Sequence, residues 1–370
     1  MKISPFKLER YFDKHEFTAP YLLSSSDCEP LLLNELLELA DEKSKEEWKT
    51  LKLGYTESKG DPNLRIEISN LYDSISADEI LVLVPEEGIF ISMNVLLDKE
   101  DHVITTFPGY QSLYQVAKDI GCQISKWEPD NNLKFQIEDL KSLITEKTKL
   151  IVINFPHNPT GEMISNRELT EIIDLAREKN IYIFSDEMYR FMEYSPEDRL
   201  PSASDLYENA VSLFGLSKTF GLPGLRIGWL TTRNKKLMEQ LITFKDYTTI
   251  CNNAPGEKLG IIALRNKGKI IERSLSIINT NLKLIEEFSD RNKAWFIWKK
   301  PKAGSIAFPE IRIKGALMDF CQDLISKKGL MLLPHEVYDF SKKHARIGFG
   351  RKNLPQVLQV FEEYTKEIGL

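Results

Sequence analysis

Leu150-Ile151-Val152-Ile153-Asn154-Phe155-Pro156-His157-Asn158-Pro159-Thr160-Gly161 opens as an unbroken apolar run and closes as a loop. A second run, Ile181-Tyr182-Ile183-Phe184-Ser185, leads into Asp186-Glu187-Met188-Tyr189. Both runs are short and rich in β-branched residues, and an amphipathic stretch over 167–179 separates them. That pattern reads as strand, helix, strand, with strands buried on both faces. The same alternation extends outward in both directions. Strands are expected over 80–84, 102–106, 211–214 and 226–230, and helices over 88–97 and 110–120. Repeated units of this kind predict an α/β fold, a largely parallel sheet sandwiched by helices.

Beyond 255 the pattern changes. Helical periodicity dominates 255–290, most clearly over 270–288. Short strand-like pieces follow near 295–298, 306–308, 331–333 and 346–349, which suggests a smaller α+β domain. The expected division is 1–50 (an N-terminal arm and part of the small domain), 51–255 (the large domain) and 256–370 (a helical connection and the small domain). The charged run 41–49 reads as a solvated helix face.

The 370 residues carry a formal charge of −6, with 42% hydrophobic and 28% charged side chains. This is an ordinary globular composition, and the negative charge disfavours a nucleic-acid surface. No apolar run approaches the length of a membrane span, and the first residues lack a secretion signal. Cys28, Cys122, Cys251 and Cys321 form no Cys-x-x-Cys pair, and the five histidines have no metal-ligand spacing. A cytoplasmic enzyme without a metal is the expectation.

In open α/β sheets, ligands gather beyond the carboxyl ends of the strands. Asn158 follows one such strand and Asp186 another. A third segment, Gly215-Leu216-Ser217-Lys218-Thr219-Phe220-Gly221-Leu222-Pro223-Gly224-Leu225-Arg226, holds a lysine and an arginine in a rigid backbone. Taken singly, these fit a turn, a surface carboxylate and an exposed lysine equally well. Together, a lysine, a carboxylate, an amide and an arginine suit pyridoxal phosphate: the amine forms a Schiff base, the carboxylate keeps the ring nitrogen protonated, and the arginine pairs with phosphate.

With Asn158-Pro159-Thr160-Gly161, Ser185-Asp186-Glu187-x-Tyr189 and the Lys218–Arg226 segment in order, the chain resembles the class I/II aminotransferases of the fold type I pyridoxal-phosphate family. The resemblance runs from about residue 53 to the C-terminus. It implies a sheet of the seven-stranded type in the large domain. Lys218 would carry the cofactor and shuttle the Cα proton, Asp186 would pair with the ring nitrogen, and Asn158 and Tyr189 would contact the ring hydroxyl oxygen. Arg226 would bind phosphate, and Tyr110, in Phe107-Pro108-Gly109-Tyr110, would stack on the ring. Tyr55 would reach the phosphate of a second subunit, implying a homodimer, and Arg346 would clamp the substrate carboxylate.

Two departures from the family pattern stand out. Where the family places small residues at the phosphate-binding helix start, this chain has Val84-Pro85-Glu86-Glu87. Pro85 has no N–H, which leaves the Glu86 and Glu87 amides as donors. The residue three before the lysine is Gly215 rather than serine, so Ser217 is the candidate to compensate. In Leu23-Ser24-Ser25-Ser26-Asp27-Cys28-Glu29-Pro30, Asp27 or Glu29 is expected to face the substrate side chain and favour a basic or polar amino acid, the alternative being a solvent-facing loop.

The expected reaction moves an amino group from an L-amino acid to a 2-oxo acid. The alternative is a lyase, cyclase or oxidase, because Gly54–Ser58 and Phe244–Thr249 also look like a capreomycidine-synthase-like branch acting on arginine-like amino acids. A non-enzymatic regulator would need a DNA-binding element, for which the charge and the residues before 53 give no support.

Overall fold

The computed structural model describes residues 2–370. Its central sheet has seven strands: β1 (Ile80–Leu83), β2 (His102–Thr106), β3 (Gln123–Trp127), β4 (Thr148–Asn154), β5 (Tyr182–Asp186), β6 (Ala210–Gly215) and β7 (Gly228–Thr231). Their spatial order is β1-β7-β6-β5-β4-β2-β3. All neighbouring pairs are parallel except those of β7, which runs antiparallel to both β1 and β6.

Side chains alternate between two cores, as the period of a strand requires. Leu81 and Leu83 of β1 pack with Val152, Phe184 and Leu213 under the helix Pro85–Leu96. Ile80 and Val82 point the other way, against Leu64, Ile68 and Ile262. Ile151, Ile153 and Ile183 meet Leu169 and Ile172 of the helix Asn166–Glu178 on that same second face.

Three elements differ from the sequence reading. The helix expected over 88–97 begins at Pro85, because proline is well placed in a first helical turn. The strand expected over 226–230 starts only at Gly228, since Arg226 adopts a left-handed conformation, φ 55° and ψ 40°, that no strand can hold. β3 was not expected. It is the sheet's outer edge, and its Gln123 and Lys126 face solvent, so no apolar run marks it.

The C-terminal segments form smaller sheets. Ile306–Ala307, Ala345–Gly348 and Leu333–Pro334 make one of three strands, packed beneath Ile278, Leu282 and Ile285 of the long helix Lys267–Asn292. Tyr21–Leu22 pairs in parallel with Leu330–Met331, which ties the early chain to the late one. The N-terminal helix Lys7–His15 buries Leu8, Tyr11 and Phe12 against Phe107, Tyr114 and Tyr338. It therefore lies over the loops that leave β2 and precede Ala345–Gly348.

Candidate active site

The loops after β2, β4, β5 and β6 open at the same edge of the sheet, and the Ala345–Gly348 strand closes over them. Asn158 hangs from the β4 loop through its own N–H, which donates to Asn154 Oδ1 at 2.8 Å. Asn154 Nδ2 in turn donates to the Asp186 main-chain oxygen at 2.9 Å. One asparagine thus fixes the spacing of two strand ends. Asn158 Oδ1 accepts from Arg346 Nη1 at 3.4 Å and from the Tyr338 hydroxyl at 3.5 Å, which leaves its NH2 to donate elsewhere.

Asp186 is 5% exposed, and its carboxylate accepts from Met188 N at 3.1 Å. Among the described residues no cation lies within ion-pair distance of it. Burial pushes its pKa up to about 7, opposed by the Met188 N–H and the charge of Lys218. Burial likewise lowers the pKa of the Lys218 amine, with Asp27 opposing the shift and Arg346 adding to it. Both shifts follow from removing a charge from water. Lys218 Nζ donates to Ser26 Oγ at 2.8 Å. The Tyr189 hydroxyl donates to the Ser26 main-chain oxygen at 3.1 Å, and burial raises its pKa so that it stays a donor.

Arg346 is 2% exposed. Its Nη2 donates to the Ser24 main-chain oxygen at 2.9 Å, and its guanidinium lies over the rings of Phe12 and Tyr338. Its Nε has no partner, and no described carboxylate pairs with it. A buried cation in this state needs an anion from outside the chain.

At the start of the helix Pro85–Leu96, the residue before it is Val84, which has no side-chain oxygen to cap the first amides. Glu86 Oε2 accepts from Ser112 Oγ at 3.2 Å, and burial pushes the Glu86 pKa up to about 7. Glu87 spans two segments: its Oε1 accepts from Thr249 Oγ1 at 2.8 Å and from Thr249 N at 3.3 Å, and its Oε2 from Val84 N at 3.4 Å. Ser217 Oγ is buried without a partner. Arg226 is exposed, donating from Nη1 to the Pro223 oxygen at 3.1 Å.

Gly215 has a packing reason. It is paired across the sheet with Gly228, and a Cβ on it would lie 2.9 Å from Gly228 Cα and 3.2 Å from Pro85 Cγ. The facing strand, and after it the Pro85 ring, crowd the space a serine would need.

The Asp27 carboxylate pairs with Arg351, with Nη2 2.9 Å from each oxygen and Nε 3.1 Å from Oδ1. Glu29 accepts from Lys352 N at 2.9 Å. Tyr110 donates its hydroxyl to Glu9 Oε1 at 3.0 Å and packs against Phe6, their ring centres 5.0 Å apart. Tyr55 stands apart from this cluster and is 93% exposed. Ser26, Glu9, Tyr338 and Arg351 border the site without having been singled out from sequence. The Ser24–Ser26 run was visible, but nothing local shows which serine meets a lysine 192 positions away.

The family described as aminotransferase class I and II matches residues 22–361. The chain belongs to that family. It is a pyridoxal-phosphate-dependent aminotransferase with the type I fold. Among relatives, it is 26% identical to a capreomycidine synthase from Streptomyces vinaceus, over 76% of this chain and 72% of that one. It is 27% identical to an aspartate aminotransferase from Sulfolobus acidocaldarius, over 80% and 78%. A solved pyridoxal-phosphate-dependent aminotransferase from Streptococcus suis superposes with a TM-score of 0.93 at 29% identity, covering all of both chains.

The residues present fit this cofactor. Asp186 lacks a cation and the ring nitrogen supplies one; the uncapped helix start and the orphaned Ser217 hydroxyl offer donors to a phosphate.

Proposed function

We propose that Lys218, Asp186, Tyr189, Asn158 and Arg346 carry out the transamination, and that Arg226, Ser217, Tyr110 and the amides of Glu86 and Glu87 hold the cofactor. One observation carries this reading: two buried groups of opposite sign that lack an ion-pair partner, Asp186 and Arg346, both act electrostatically on Lys218. Bound there, pyridoxal phosphate supplies a carbonyl that takes the substrate amine and a ring that spreads the electron pair left at Cα.

Arg346 binds the α-carboxylate through Nε and the adjacent face of its guanidinium, a geometry suited to two parallel hydrogen bonds. Lys218 Nζ, whose pKa burial lowers, takes the Cα proton in its amine form and returns it to the neighbouring carbon. Asp186 would face the ring nitrogen and favour its protonated form. Asn158 Nδ2, which no neighbour takes up, would donate to the ring oxygen, with the Tyr189 oxygen beside it. Phe12 and the N-terminal helix keep water from the carboxylate side.

The test is stoichiometric. An amino acid added alone is expected to give one equivalent of 2-oxo acid per chain and then stop until a second 2-oxo acid is supplied. The similarity to capreomycidine synthase supports a second reading, a cyclase or lyase. Continued turnover on the amino acid alone, with cyclised product or ammonia, would replace the first reading with that one.

The active unit is a homodimer in which Tyr55 reaches the partner's phosphate. In support, Leu53, Tyr55, Tyr247 and Ile250 are exposed on two adjoining segments, which Ser58 Oγ joins by donating to Asp246 Oδ1 at 3.0 Å. Sedimentation of the holoenzyme at twice the chain mass is the expected result. Four unpaired cysteines agree with a cytoplasmic setting.

A further inference from the structure

We propose that Ser26 is a catalytic residue that holds the free Lys218 amine and sets the direction of its lone pair. The inference rests on Lys218 being the base of the reaction.

Three hydrogen bonds meet on this residue. Its Oγ accepts from Lys218 Nζ at 2.8 Å, and its main-chain oxygen accepts from the Tyr189 hydroxyl at 3.1 Å and from Ser305 Oγ at 2.8 Å. Its neighbours are pinned as well. The Ser24 oxygen accepts from Arg346, and Asp27 is gripped by Arg351. Gly348 packs so tightly on the loop that a Cβ there would fall 1.7 Å from the Ser25 oxygen. The hydroxyl of Ser26 is therefore presented from a loop that cannot drift.

A primary amine accepts a proton along a single lone pair, and rotation about Cε–Nζ sweeps that lone pair through every direction. Giving one N–H to a fixed oxygen stops the rotation. Lys218 then receives the Cα proton on the lone pair and becomes an ammonium, while the N–H already given to Ser26 Oγ stays there. Ser26 itself neither gains nor loses a proton. The same bond favours the ammonium over the amine, since a hydrogen bond to a charged donor is the stronger one. Ser26 thus opposes the effect of burial on Lys218.

The experiment compares Ser26→Ala with Ser26→Thr, which keeps the hydroxyl. In the cofactor-free protein, the rate at which an amine-directed reagent labels Lys218 is followed against pH by peptide mass spectrometry. Loss of one charge-assisted bond is expected to move the midpoint down by about one pH unit in Ser26→Ala, so labelling below the midpoint is about tenfold faster. Ser26→Thr is expected to keep the wild-type midpoint. In the holoenzyme, Ser26→Ala is expected to lower kcat about 10- to 100-fold with little change in KM. Its isotope effect with Cα-deuterated substrate should rise, and Ser26→Thr should restore both.

A wild-type midpoint and isotope effect in Ser26→Ala would overturn the proposal. So would equal impairment of both variants with lowered thermal stability, which would make Ser26 only a wall of the loop. Failure of the underlying reading has a different signature, a wild-type protein that never fixes cofactor on Lys218, and it overturns the proposal too.

Discussion

Lys218→Ala protein is expected to fold normally, to carry no cofactor that borohydride can fix to the chain, and to turn over at least about 10⁴-fold more slowly than wild type. Both losses have one cause. The side chain proposed to anchor the cofactor covalently is also the one proposed to move the Cα proton. The structural cost is small, because Lys218 makes a single hydrogen bond, to Ser26, worth about 1 kcal/mol. Circular dichroism and thermal unfolding should therefore match wild type while activity vanishes. Added small primary amines are expected to restore part of the rate by occupying the vacated space. Measurable turnover in Lys218→Ala without such amines would remove the basis of the proposed mechanism.

Asp186→Asn is expected to lower kcat by about 10³-fold, the cost of breaking a buried ion pair. Its effect on stability has the opposite sign in the cofactor-free protein. There the pKa of Asp186 is raised to about 7 by burial, so the folded state disfavours the carboxylate. That destabilisation is absent below an unfolded-state pKa of about 3.9, grows as pH rises, and is complete above about pH 7. At its limit it reaches about 4 kcal/mol. Cofactor-free Asp186→Asn should therefore melt above wild type at pH 8, with the advantage vanishing near pH 4. With cofactor bound the order should reverse, since the carboxylate then has a cation beside it. Differential scanning calorimetry of both forms at both pH values checks the crossing.

What the sequence revealed follows from burial. β4, β5 and β6 are covered on both faces, so their apolar runs are continuous and their ends easy to find. Asn158, Asp186 and Lys218 sit just past those ends, and the structure brings them to one edge of the sheet. β3 stayed hidden because an edge strand has no need of an apolar run. Arg226 was read as part of a strand because its neighbours are apolar, but its positive φ is set by the turn at Pro223 and Gly224. Asp27 was not expected to be paired within the chain. Its partner Arg351 lies at the other end of the chain, and no local pattern announces such a pairing. The same distance concealed Ser26 and the Tyr110–Glu9 contact, because each depends on how the N-terminal segment folds back over the large sheet.

Pro85, Gly215 and Gly228 interlock, and this limits how the chain can diverge from its family. A serine introduced at position 215 alone would strike the proline ring and the facing strand. Replacing Pro85 alone would leave a gap above two glycines and no new hydroxyl. The helix start and the two strand positions therefore constrain one another. Any transplant of a relative's phosphate-binding loop into this scaffold has to carry all three positions together.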